Sequence, residues 1–97
     1  MFEYGSNING SWEKNLITGA IKQWGKIGAT TAMSSVTITF PISFSSKVEN
    51  IQITKIVTSS TAGNSYIEAI RVKNYSLTNT VIWKNDNGGA FWEAIGY

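Results

Sequence analysis

The chain of 97 residues contains no cysteine and no histidine. Without cysteine, no disulfide can brace it. Without histidine, it lacks the commonest general base and the commonest neutral metal ligand. Ser-His-Asp and Cys-His catalytic arrangements are excluded outright. Leucine occurs only at positions 16 and 77, and a chain so poor in leucine is ill suited to a helical bundle. The single arginine, Arg71, argues against phosphate or base recognition. A net charge of +2 is too small for the basic stripe of a nucleic-acid surface. No run approaches the roughly 18 apolar residues that would suggest a membrane-spanning helix. Residues Met1 to Ser6 carry neither the basic nor the apolar segment of a secretory signal.

What is present points to sheets. Isoleucine occurs 13 times, and serine, threonine and asparagine 11, 10 and 9 times, so the chain is dominated by residues that suit strands and turns. Residues 1–10, with Gly5, Asn7, Asn9 and Gly10, read as a linker or irregular lead-in. Residues 11–97 read as one small antiparallel β-sandwich of about seven strands, because apolar alternation recurs between turn clusters. The clearest alternation runs from Ser34 to Phe40. Val36, Ile38 and Phe40 share one face there, and Ser35, Thr37 and Thr39 the other. Pro41 cannot donate to a ladder, so pairing changes at it. Further strands are expected over 11–17, 20–27, 48–57, 66–73, 77–84 and 91–97, with Gly25 marking a bulge and Asn74-Tyr75-Ser76 a turn. A domain this small buries only about two-thirds of its unfolded surface, which favours association with copies of itself.

Three kinds of chemistry have candidate residues. Glu68, Asp86 and Glu93 are carboxylates that would have to meet in pairs for glycoside hydrolysis; solvated charges on a small sheet surface are the simpler explanation. Asn85-Asp86-Asn87-Gly88 has the composition of part of a calcium loop, but a full loop needs more acidic ligands. A tight hairpin turn accounts for the same residues, and neither a metal nor a cofactor is expected. Sugar recognition uses flat aromatic faces with amides and hydroxyls. Trp12, Trp24, Trp83, Trp92 and the tyrosines supply the first, and the many Asn, Ser and Thr residues the second. Since function concentrates on loops, the candidate ligand-binding residues are Asn64, Tyr66, Trp83, Asn85, Asp86 and Asn87.

Three segments carry a more specific likeness. Ile21-Lys22-Gln23-Trp24-Gly25, Val36 to Phe44 with its Phe40-Pro41-Ile42-Ser43-Phe44 run, and the terminal Phe91-Trp92-Glu93-Ala94-Ile95-Gly96-Tyr97 stand in the order and spacing of a C-terminal domain of tailed-phage tail fibres. Gly10 to Lys14 is similar to its lead-in. The chain resembles that family over residues 10–97. Glu93 departs from the pattern, standing where the family usually has an apolar residue; that position is expected to be exposed or in a polar contact. The resemblance implies a non-enzymatic, homotrimeric β-sandwich at the distal end of a virion's fibre, with Met1 an internal or cloned start after a longer shaft. Its partner would be lipopolysaccharide or another envelope glycan, with no nucleic acid and no membrane insertion. A trimerisation or folding cap without receptor contact is the alternative, and glycan cleavage a third.

Overall fold

Alternating apolar and polar residues can bury one face of a strand while the other meets water. A computed structural model describes residues 1–28, 34–56, 70–84 and 88–97, and shows this alternation in use. Among the described residues there are eight strands and no helix. They are β1 (Phe2–Asn7), β2 (Gly10–Asn15), β3 (Ile21–Ile27), β4 (Ser34–Thr39), β5 (Val48–Lys55), β6 (Ile70–Tyr75), β7 (Asn79–Lys84) and β8 (Ala90–Gly96). One sheet has the order β1-β2-β3-β8-β5 and the other β4-β7-β6, with every pairing antiparallel. The expected all-β sandwich is therefore present.

The core lies between the sheets. Ile21, Trp92 and Ala94 from the larger sheet meet Ile38 and Ile82 from the smaller, with Phe40 and Phe44 from the segment after β4. Full burial of each large apolar side chain contributes about 1.5–3 kcal/mol. Phe40 and Phe44 meet edge to face at 5.1 Å, and Phe40 lies 5.8 Å from Trp92. These are geometries in which aromatic pairs add roughly 0.5–1.5 kcal/mol beyond area alone. Val36, Ile38 and Phe40 do share the inward face, and Ile51 and Ile53 point inward from β5.

Gln23 ties the sheets together at the proline. Its side chain is fully buried, donates from Nε2 to the Ile42 carbonyl at 2.8 Å, and accepts from the Ile42 amide at 2.9 Å. A glutamine side chain thus supplies both halves of a ladder rung where Pro41 has ended regular pairing.

Four expectations need correction. Residues 1–10 are not an irregular lead-in: Phe2–Asn7 is a strand whose whole length pairs with β2. The Gly/Asn-rich composition belongs to the hairpin turn, where Asn7 Oδ1 accepts from the Asn9 amide and Asn7 Nδ2 donates to the Pro41 carbonyl. Leu16 to Thr18 form a turn, closed by Asn15, instead of continuing the strand. Gly25 marks no bulge. It stays in register opposite Trp92, and a Cβ there would stand 2.7 Å from the indole Nε1, so the glycine permits a close approach. Asn74 and Tyr75 belong to β6, whose register shifts between Val72 and Asn74; the turn lies beyond them, where Ser76 Oγ accepts from the Thr78 and Asn79 amides.

Candidate functional site

The inward demand on β3 and β8 decides which of their side chains face out. Ile21 and Gln23 are buried, so Lys22, Trp24 and Lys26 project from the other face of β3. Ala90, Trp92, Ala94 and Gly96 are buried on β8, which leaves Phe91, Glu93 and Ile95 outward. The register sets Trp24 opposite Glu93 and Lys26 opposite Phe91. On the far side, β5 places Gln52 beside Glu93 and Thr54 beside Phe91. Trp24 and Phe91 are diagonal neighbours on this surface, 37% and 53% exposed.

Between them runs a groove of about 370 Å³, lined by Lys22, Trp24, Gly25, Gln52, Thr54, Phe91, Trp92 and Glu93. Lys22 Nζ stands 5.8 Å from the Trp24 ring and 3.7 Å from Glu93 Oε2. Lys26 Nζ stands 5.8 Å from the Phe91 ring. The Lys22–Glu93 pair is about half exposed and therefore weakly held, free to exchange partners. The expected polar role of Glu93 is met by this contact. The groove offers two aromatic faces, an amide, a hydroxyl, an ammonium and a carboxylate on a rigid sheet. Those groups suit a polyhydroxylated ring with one apolar face.

A second hollow of about 240 Å³ lies further along the same face, among Phe2, Glu13, Asn15, Ala20, Ile21, Lys22, Glu49, Ile95, Gly96 and Tyr97. At its rim, Lys47 Nζ donates to Glu49 Oε1 at 2.9 Å and lies 5.3 Å from the Tyr97 ring. The hydrogen bond to Glu49, reinforced by that carboxylate's charge, holds the Lys47 ammonium above the ordinary lysine range.

The loop residues singled out from sequence lie mostly elsewhere. Asn64, Tyr66, Asn85, Asp86 and Asn87 fall outside the described residues, as does Glu68. Trp83 is described: it is half-buried on the outer side of the three-stranded sheet, opposite Arg71, whose guanidinium carbon stands 5.1 Å from its ring. The Trp24–Phe91 groove belongs to the other sheet, so Trp83 takes no part in it. Trp92 is core, and Trp12 lies half-buried across Gly5. Among the described residues, no three acidic, histidine or cysteine side chains converge to hold a metal. Sequence reasoning overlooked Phe91, Gln52 and Thr54. The available signal was the phase of the alternation, since an inward Ile21 and Trp92 oblige Trp24 and Phe91 to face out.

Fold and surface together define an all-β sandwich that carries an open aromatic groove on one sheet. The chain belongs to the gp53-like C-terminal family of tail fibre proteins, whose model matches residues 15–97. It is thus a domain of a phage-type tail fibre, associated with the tail. No curated protein matches the sequence. Among solved structures, the chain is similar along its whole length to a C-terminal piece of the P. aeruginosa R2 pyocin fibre, with TM-score 0.81 and 21% identity, covering 26% of that chain. It is also similar to an N-truncated R1-type pyocin tail fibre, with TM-score 0.78 and 25% identity, covering 86% of that chain. A second R2-type fibre fragment gives TM-score 0.77 and 25% identity, with 38% of it covered. The chain thus spans about a quarter to two-fifths of the two R2 fibre pieces.

Proposed function

We propose that this domain is the host-contacting end of its fibre, and that it holds a bacterial envelope glycan, such as lipopolysaccharide, in the Trp24–Phe91 groove without cleaving it. The observation that carries the reading is the pair of exposed aromatics on adjacent strands, flanked by Gln52, Thr54 and the Lys22–Glu93 pair. A core wholly satisfied on the inner face has no use for Trp24 or Phe91 outside it. Sheet-borne aromatics lose little side-chain freedom when a ligand stacks on them. In this reading the site lies on the sheet face.

The domain works as a homotrimer in this reading, with copies meeting along the β6 edge. Val72 and Tyr75 are exposed on that edge strand, sharing a hollow with Val48 and Ile51 of β5, and Leu77 is exposed just beyond it, an apolar surface that a neighbour would cover. Three modest sugar sites on one tip gain avidity together. The same apolar edge also supports the rival reading of a trimerisation cap without receptor contact.

One pair of measurements separates the two. Trp24→Ala and Phe91→Ala should leave the mass in solution that of a trimer while abolishing adsorption of the purified protein to host envelope. Loss of the trimer in those variants would place the face between copies and support the cap. Unchanged adsorption with an intact trimer would overturn the groove as the receptor site.

A further inference from the structure

We propose that the receptor site is an extended trough for a neutral oligosaccharide, running from the Trp24–Phe91 groove over the Lys22–Glu93 pair into the hollow walled by Phe2 and Tyr97. The inference rests on the glycan-binding reading above and adds the length and charge of the ligand.

Continuity comes from Lys22, which lines both depressions. The first is lined by Phe91–Glu93 and the second by Ile95–Tyr97, two stretches of the same chain segment. At about 3.3 Å per strand residue they lie roughly 13 Å apart. A single pyranose cannot occupy both at once, whereas a linear oligosaccharide can. The two ends also repeat one chemistry. The second hollow has its own exposed aromatics, Phe2 at 49% and Tyr97 at 37%, and Ile95 also lines it. Glu13 and Glu49 supply carboxylates there, and Asn15 an amide. Asn15 Oδ1 already accepts from the Ile17 and Thr18 amides, so its side chain meets a ligand as a donor.

Charge balance selects a neutral sugar. Lys22 faces Glu93 at 3.7 Å and is the cross-strand partner of Glu13; Lys47 faces Glu49 at 2.9 Å. A phosphate or uronate entering the trough would meet a carboxylate beside each of these cations. Sugar hydroxyls both donate and accept, and so can use each ammonium and carboxylate without displacing a charge.

The test uses the full chain and the polysaccharide released by mild acid from lipopolysaccharide of a strain to which the protein adsorbs, freed of phosphate and fractionated by repeat number. Phosphorylated inner-core oligosaccharide is the comparison. Calorimetric affinity should rise about tenfold or more from the shortest fragment to fragments that span the trough, as linked subsites require. Phe2→Ala and Tyr97→Ala should remove that gain and leave the shortest fragment's affinity unchanged. As a check independent of variants, long fragments should shift the amide resonances of both Glu93 and Gly96, and the shortest fragment that of Glu93 alone. Affinity flat with length, insensitivity to both substitutions, or tighter binding of the phosphorylated core would overturn the trough while leaving the single groove standing. Binding of every fragment unaffected by Trp24→Ala and Phe91→Ala would overturn the groove itself.

Discussion

Gln23 shows how much one side chain can carry in so small a domain. Both of its amide bonds go to Ile42, and its side chain has no contact with water. Gln23→Leu keeps the volume but orphans the Ile42 amide and carbonyl, and should lower stability by roughly 2–4 kcal/mol in urea unfolding, with the slope unchanged. Lys47 offers a second check at this scale. Its raised pKa means that its contribution to stability is fully present at neutral pH and is lost only as alkalinity carries the folded protein through that value. A titration followed by NMR should find Lys47 deprotonating above the usual lysine range, and Glu49→Gln should lower that midpoint. Because Lys47 is solvent-facing, its removal should leave the neutral-pH melting temperature nearly unmoved.

At the scale of elements, the β1–β2 hairpin is the part that patterning failed to announce. Phe2 and Tyr4 alternate with Glu3 and Gly5, but their aromatic side chains are exposed, so they carry no mark of burial. The turn at Ile8-Asn9 hid inside a composition typical of linkers. By contrast, β4 and β8 were legible because each buries alternate residues against a core. The bulges in β5 and β6 were not: they depend on how partner strands must bend, which no single strand records. No member of the buried apolar cluster comes from β1 or β2, and the family match begins only at residue 15. A chain of residues 15–97 should therefore still unfold cooperatively by calorimetry, at a reduced midpoint, since Trp12 no longer shields the strand beside it. Failure to fold would show that the hairpin belongs to the folding unit.

At the scale of the whole molecule, the principal extents are 48 × 22 × 19 Å and the radius of gyration is 14.6 Å, above the roughly 12.5 Å expected for a compact chain of this length. The candidate site was only partly readable at this level. Trp24 is one of the aromatics the sequence offers for stacking, but its partnership with Phe91, Gln52 and Thr54 arises from strands distant in sequence that pair side by side. The homotrimer proposed here should persist in sedimentation at micromolar concentration, and Tyr75→Glu together with Val72→Glu should dissociate it without loss of sheet signal in circular dichroism.

The two faces of β3 and β8 answer to different masters. Positions that point inward are constrained by neighbours on all sides; those between them touch chiefly water and whatever arrives from it. Exchanging Trp24, Lys26, Phe91 or Thr54 alters the outer chemistry and leaves the inner unaltered. If the outer face holds the receptor as proposed, such a sheet can change what it recognises by point substitution, with no loop to lengthen and no backbone to rebuild.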